Sequence, residues 1–253
     1  MERTQRFRLD RQQPISAEAY EYRAGSRVKE HKHAAAQLVY AIVGAMRILT
    51  RDGVYVVPPQ RGVWIPPEIP HTIDILSNVS MRTVYVRFNE AAALPKQCRV
   101  VAVSGLLRHL ILAAIEMPDD YRLDGHNRAL VKLLLDEIQT VHQEPLKLLN
   151  PIDRRLAHVA RDIKANPADG RPLATWAKTA NASERTLARL FLQDTGLTFA
   201  QWRQQLRLIK AIEMLANETP VTVVAMQLGY SSASAFGFMF RRALGCSPSA
   251  YFA

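Results

Sequence analysis

A chain of 253 residues has room for two domains of ordinary size, and 48% apolar with 22% charged residues is the composition of a globular protein. No run of about 18 uninterrupted apolar residues occurs, which argues against a membrane-spanning helix; Cys98 and Cys246 alone are too few for a disulfide framework and fit a reducing cytoplasm. The net charge is +10, and from Pro151 onward 13 basic residues face 7 acidic ones, which points towards a polyanion partner while being compatible with solubility alone.

The chain opens on a basic stretch, "MERTQRFRLDRQQP", that no apolar core follows, so a secretory signal is not expected. From there to about residue 95 the runs "LVYAIVGAMRILT", "GVYVVPP", "GVWIPP", "HTIDIL" and "MRTVYVRF" are rich in Val, Ile and Tyr, with Gly, Pro, Asp and Asn between them. Short strands at such close spacing predict a small barrel or a double-sheet jelly roll. Within this part, "GSRVKEHKHAAAQLVYAIVG" puts His31, His33 and Gln37 at odd positions, and an unbroken strand would point all three inward together. Trp64, Tyr40 and Tyr85 are candidates for the apolar walls of a pocket there, or for plain core.

Between residues 96 and 150 the period changes. Leu106, Leu107, Leu110, Ala114 and Ile115 recur at helical spacing, as do Leu130, Leu134, Ile138 and Val141. "MPDD" from Met117 breaks the first helix, and Pro145 ends the second. These two amphipathic helices either pack on the barrel or pair with a second copy. The homodimer is favoured, because twofold oligomers are the commonest. Pro145 and Pro151 bracket an expected linker, "PLKLLNP".

Residues 151–253 are helical and contain an internal repeat. Leu173, Trp176, Ala177 and Asn181 match Val221, Val224, Ala225 and Gly229 at one constant offset. After a one-residue insertion, Ser183, Leu187, Phe191, Gly196 and Trp202 match Ser232, Phe236, Phe240, Gly245 and Tyr251. Each copy reads as helix, tight turn, helix. A small residue (Ala177, Ala225) lets two helices approach, and Asn181 or Gly229 tolerates a left-handed turn. Ser183 or Ser232 then caps the second helix, whose Leu187 or Phe236 packs back on the first. This is helix-turn-helix logic, in which the second helix enters the DNA major groove. The motifs span 173–194 and 221–243 and are joined by a helix over 198–217, whose run "FAQWRQQLRLIKAIEMLA" is about 27 Å long at about 1.5 Å per residue. Adjacent groove turns lie about 34 Å apart, so such a helix suits two readers.

The stretch from about Ile152 to Phe252, with "LATWAKTANASERTLARLFLQDTG", "RLIKAIEMLA" and "LGYSSASAFGFMFRRALGCSPSAY", resembles the DNA-binding domain of AraC/XylS-type transcriptional regulators. The resemblance implies double-stranded DNA as partner, with Ser183, Glu184, Arg185, Ala188 and Arg189 on the first reading helix and Ser232, Ala233, Ser234, Gly237 and Phe238 on the second. Arg185 and Arg189 match positions that reach bases, and an arginine binds guanine in a bidentate way. The alternative for either is a phosphate contact or a solvated charge. The second helix carries no basic or amide side chain over "SSASAFGFMF". Phe238 stands where many family members have arginine; Ala233, Ser234, Gly237 and Phe238 meet thymine methyls, backbone or nothing, with burial as the alternative for Phe238. Arg203, Arg207, Arg241 and Arg242 are candidate phosphate contacts, with a structural role between the copies as the alternative for Arg207.

Residues 20–90 are similar to a short cupin domain. Gly25, His31, His33, Gln37 and Gly44 keep the spacing of the first cupin motif, with Gln37 in place of the family's glutamate. The second motif is partial: Pro66 and His71 are present, Glu68 stands where glycine is usual, and Ile75 stands where asparagine is usual. His31, His33 and His71 from two strands are a candidate set for a divalent metal. Alternatively His31, His33, Gln37, Trp64 and His71 bind an organic effector, or the histidines are ordinary polar residues of the barrel.

The expected architecture is therefore α+β. A small cupin β-barrel for effector binding spans 1–95, a helical dimerisation and linker region 96–150, and an all-α DNA-binding domain with two helix-turn-helix motifs 151–253. The function it implies is one-component, small-molecule-responsive transcription regulation in the cytoplasm, without catalysis and without a required cofactor. RNA polymerase is a further partner if the protein activates, and transporter or efflux genes are the targets the resemblance implies. The competing reading is a metal-dependent cupin enzyme with an appended helical domain. The absent carboxylate and the C-terminal repeat count against it.

Overall fold

The run from Ala36 to Val43 is apolar on both faces because each face meets a different layer. In the computed structural model, which describes residues 13–252, this run is strand β3, following β1 (Ile15–Tyr22) and β2 (Arg27–His31). The strands β4 (Met46–Thr50), β5 (Gly53–Val57), β6 (Arg61–Ile65), β7 (His71–Ile75) and β8 (Val79–Val86) follow. The basic start read above lies largely in residues 1–12, outside the described residues.

A short helix α1 (Phe88–Ala91) leads to β9 (Arg99–Ala102), α2 (Gly105–Ile115), α3 (Gly125–Thr140) and β10 (Lys147–Leu149). Among the described residues the strands form two antiparallel five-stranded sheets, ordered β1-β8-β3-β6-β9 and β10-β5-β4-β7-β2. Val39 and Ala41 point between the sheets, where they meet Met46, Ile48, Val63 and Ile73. Leu38 and Tyr40 point the other way, onto Leu107, Ile111, Leu134 and Ile138 of α2 and α3. The apolar stripes of these two helices are thus consumed within the chain, leaving Leu106 and Leu133 about half exposed.

The region 96–150 is more than helices and a linker. It supplies β9 to one sheet and β10, from the heart of "PLKLLNP", to the other. The join to the last domain is tied down as well. Asn150 N–H donates to the Asp52 carbonyl at 2.8 Å, and the Ile152 and Asp153 N–H groups both donate to Asp194 Oδ2 at 2.8 Å.

The helical domain comprises α4 (Arg154–Ala165), α5 (Leu173–Thr179), α6 (Glu184–Thr195), α7 (Phe199–Ala216), α8 (Val221–Gln227) and α9 (Ala233–Leu244). A 3-10 turn, Pro248–Ala250, closes it. Thr198 and Gln201 form a reciprocal capping box at the start of α7. Buried Trp202, Leu206, Ile209 and Ile212 make this helix the spine on which both motifs pack. Its barrel side packs on β5 and β10, and the Trp202 indole N–H donates to the Leu149 carbonyl at 3.3 Å. No helix among the described residues is long and apolar enough to cross a membrane.

Candidate histidine pocket and nucleic-acid interface

The strand expected to run unbroken through His31, His33 and Gln37 is broken. β2 ends at His31 and pairs with β7, while β3 begins at Ala36 in the opposite sheet. The crossing is needed because Gln37 lies on a central strand between β8 and β6, whereas His31 lies on an edge strand. The side chains converge all the same. His31 pairs directly with His71 in the register of β2 and β7, and their rings lie 4.3 Å apart. The His33 ring is 5.3 Å from that of His71, and it meets the Tyr85 ring edge-on at 5.3 Å.

One ring nitrogen of each of the three histidines lies within 4.8 Å of the others. Their Nδ1 atoms point outward to backbone carbonyls: His31 to Lys29 at 2.9 Å, His33 to Ala35 at 2.7 Å, His71 to Ile69 at 2.8 Å. A carbonyl only accepts, so the hydrogen on that side of His31 and His71 sits on Nδ1, while His33 also meets the Gln37 side-chain oxygen through Nε2. Burial pushes His71 down to about 4 and His33 below its ordinary value, which keeps both rings neutral at pH 7. Gln37 is fully buried beside them, with Oε1 at 3.1 Å from His33 Nε2 and its amide nitrogen donating to Thr83 Oγ1 at 2.9 Å.

Two departures from the cupin pattern resolve differently. Glu68, where glycine is usual, adopts the left-handed backbone itself at φ 61°, and its carboxylate meets Lys32 at 2.7 Å. Gln37, in place of the carboxylate, is a change of chemistry and leaves the donor set neutral. Trp64 does not line this pocket. It pairs with Leu38 in register, so both face the α2–α3 side, and its indole N–H donates to the Pro95 carbonyl at 2.7 Å. Tyr40 is on that side too, whereas Tyr85 faces the histidines.

Three charged residues that sequence reading passed over link this pocket to the helical domain. Asp74, three residues along β7 from His71, receives Arg27 at 2.5 Å and Arg47 of β4 at 2.7 Å. Arg47 also reaches Glu213 of α7 at 3.0 Å, and Glu213 takes Lys210 at 2.7 Å. The bond from Arg27, aided by Arg47, holds the Asp74 carboxyl below its ordinary value even though burial opposes it. The available signal was charge in apolar context: Asp74 in "HTIDIL", Arg47 in "AMRILT" and Glu213 in "AIEMLA".

In the helical domain the repeat is visible bond by bond. Ala182 N–H donates to the Ala177 carbonyl at 3.0 Å, and Tyr230 N–H to the Ala225 carbonyl at 2.9 Å. Ser183 Oγ accepts from Thr186 N–H and Ser232 Oγ from Ala235 N–H, both at 3.1 Å. The Phe191 ring lies 5.6 Å from Trp202, and the Phe240 ring 5.2 Å from Tyr251. Asn181 turns at φ 49° and Gly229 at φ 74°; only at Gly229 is there no space, since a Cβ would lie 2.8 Å from the Ala168 carbonyl oxygen.

On α6, Leu187, Leu190 and Phe191 are buried, while Glu184, Arg185, Ala188 and Arg189 share the exposed face. Arg189 donates to Gln193 at 2.8 Å, one turn on. On α9, Phe236, Met239 and Phe240 are buried, Ser232 and Ser234 are exposed, and Ala233 and Gly237 are half-buried. Phe238 is 73% exposed, which excludes the buried reading. Arg241 and Arg242 are exposed at the end of α9. Arg203 and Arg207 instead turn to the loop between α4 and α5. Arg207 donates to the Pro167 carbonyl at 2.8 Å, and Arg203 to the Arg171 carbonyl at 3.1 Å.

A β-sheet ligand pocket joined to paired helix-turn-helix units is the build of a ligand-responsive, DNA-binding regulator. A family model described as the AraC-like ligand binding domain matches residues 14–151, and one described as a helix-turn-helix domain matches residues 176–253. Over 223 residues the chain is 34% identical to the HTH-type transcriptional regulator NimR of Escherichia coli strain K12, covering 88% of this chain and 81% of that one. It is 37% identical over 101 residues to the HTH-type transcriptional regulator RipA of Corynebacterium glutamicum, covering 40% of this chain and 30% of that one. Among solved structures, ToxT from Vibrio cholerae matches 95% of this chain and 98% of its own at 11% identity, with a TM-score of 0.40. The chain belongs to the AraC family of transcriptional regulators. The curated proteins it matches here are regulators, not enzymes.

Proposed function

We propose that the chain is a one-component regulator that acts in the cytoplasm as a homodimer. A small molecule at His31, His33, Gln37 and His71 biases how its paired readers sit on a promoter. The observation that carries this reading is the ion chain Asp74–Arg47–Glu213, which runs from the strand of His71 to the helix between the two readers. A ligand shifts an equilibrium only by binding one state better. A pocket on β7 that moves Asp74 by a fraction of an ångström has α7 as its direct mechanical neighbour through Arg47.

In this reading Arg185 and Arg189 contact bases, with Ser183, Glu184 and Ala188 beside them. Ser232, Ala233, Ser234, Gly237 and Phe238 form the second, uncharged reading surface, and Arg241 and Arg242 contact phosphate. Arg203 and Arg207 act as braces of the 167–171 loop rather than as phosphate contacts, because each already donates to its carbonyls. RNA polymerase is a further partner if the protein activates. Transporter or efflux genes as targets rest on the family resemblance alone.

The test is selection of genomic fragments from the source organism by the purified protein at about 150 mM salt. Fragments sharing a pair of half-sites are expected, with binding that falls steeply as salt rises, by about 0.9 in log K per log salt for each phosphate contact. Recovery without enrichment over bulk DNA would overturn the reading.

A further inference from the structure

The edge strand β1 carries two carboxylates with opposite surroundings. Ser16, Glu18, Tyr20 and Tyr22 stand in register with Tyr85, Thr83, Met81 and Val79 of β8, and Met81 and Val79 belong to the core between the sheets. The half-buried side chains of Glu18, Tyr20 and Tyr22 therefore turn to the same inter-sheet space as Tyr85 and the histidines. Glu21 is on the other face, where Arg82 at 3.1 Å balances its charge and Ser80 donates to it at 2.8 Å. Glu18 has no such cation. Among the described residues its hydrogen-bond partner is the Tyr20 hydroxyl, which donates to it, and a carboxylate offers about four lone-pair sites. We propose that the effector is an organic cation bearing N–H donors, a protonated amine or amidine, bound by the Glu18 carboxylate against the rings of Tyr20 and Tyr22. The proposal deepens the sensing role given to this pocket and rests on it.

Three features select this class. The first is charge. Burial first, and then Glu18, raises the Tyr20, Tyr22 and Tyr85 hydroxyls above their ordinary values, so all three phenols stay neutral and Glu18 alone sets the sign at the mouth. The second is aromatic surface. The Tyr20 and Tyr22 rings lie nearly parallel, 5.9 Å apart, and the face of such a ring attracts a cation. The third is the run of acceptors deeper in. Glu18 stands opposite Thr83, which accepts from Gln37, and Gln37 adjoins His33. Beyond them His31 Nε2 and His71 Nε2 are buried with no hydrogen-bond partner among the described residues, and His71 is 1% exposed. The Nδ1 hydrogens of these two rings are spent on backbone carbonyls, so both Nε2 atoms accept. A buried acceptor left without a donor destabilises the fold, and a ligand rich in N–H groups supplies donors here. An anion would meet Glu18, and a quaternary ammonium would leave every acceptor unfilled. The entrance is also on the right side. The segment 144–146 bonds both Val100 of β9 and Val56 of β5, closing one side of the sandwich, whereas no backbone bond among the described residues joins β1 to β2 on the other.

The test titrates the full chain with probes of similar shape: benzamidine, a cation with N–H donors; phenyltrimethylammonium, a cation without them; benzamide, which is neutral; and benzoate, an anion. Calorimetry should show benzamidine bound and the other three weaker by about tenfold or more, the size of a hydrogen bond to a charged group. Glu18→Gln, which keeps the shape and removes the charge, should weaken benzamidine by a similar factor. Tyr20→Leu and Tyr22→Leu should each weaken it by about two- to fivefold. Retained binding of the selected promoter fragment shows that each variant is folded. Benzamidine binding that is absent, matched by benzamide or phenyltrimethylammonium, or indifferent to Glu18→Gln would overturn the cation site and leave the regulator intact. Glu18-dependent binding that never alters promoter affinity would support the site and overturn its sensing role instead.

Discussion

The two helix-turn-helix units of this chain share a backbone and differ in what they present to solvent. Turn, cap, buried aromatic and stacking partner recur in both, down to equal 3.1 Å serine caps. Yet where α6 presents Arg185 and Arg189, the equivalent positions of α9 are Ser234 and Phe238. The difference separates what the fold requires from what recognition requires. Buried and turn positions are held alike by packing, and the exposed face is free to diverge. In the function proposed above, the first unit hydrogen-bonds base edges and the second makes apolar contact with them, such as with a thymine methyl.

Three pairs of substitutions test how far the likeness and the difference extend. The largest effect is expected at the turn. Gly229→Ala adds a Cβ at φ 74° against the Ala168 backbone and should lower stability by about 2–5 kcal/mol in thermal or urea unfolding. Asn181→Ala, in the same turn of the first unit with a φ of 49°, should cost about 1–2 kcal/mol. Equal losses at both would show that the close approach at Gly229 carries no energy.

Next comes readout. Arg189→Ala should remove about 1–3 kcal/mol of discrimination at a guanine under the first unit, measured as Kd on single-base variants of the selected site. Phe238→Ala should cost less and act only at thymine, and replacing that thymine by deoxyuridine should reproduce its effect in the wild type. Equal sensitivity to deoxyuridine in both proteins would remove Phe238 from the reading surface. The smallest effect is at the caps. Ser183→Ala and Ser232→Ala should each cost about 1 kcal/mol of stability and match one another.

What was legible in the sequence was what is local. The repeat could be read because its turns, caps and aromatic anchors lie within a few residues of one another, and the match resumes at Ser183 and Ser232 after an inserted residue. The helices packed on the outer sheet announced themselves by period, as Leu107, Ala114, Leu134 and Ile138 show. Strand pairing is long-range and was less visible. β10 is three residues inside "PLKLLNP", too short for any alternation to show, and was read as linker. β1 alternates small and polar residues, "ISAEAYEY", and gave no apolar run.

The pocket was legible by residue type and not by route. His31, His33, Gln37 and His71 do meet, although the strand that was to bring three of them together is split between two sheets. Trp64 was misassigned because a tryptophan one position out of phase faces the helices instead. The Asp74–Arg47–Glu213 chain needed the fold, since its members are far apart in sequence.

The loop at residues 167–171 precedes the first unit in the chain but completes the second. Ala168 is the floor against which Gly229 turns, and the carbonyls of Pro167 and Arg171 receive the guanidiniums of α7. A fragment beginning at Thr198 would keep both helices of the second unit and lose the surface that shapes its turn. The duplication is therefore not modular. The surface that shapes the second turn thus lies in the chain ahead of the first unit.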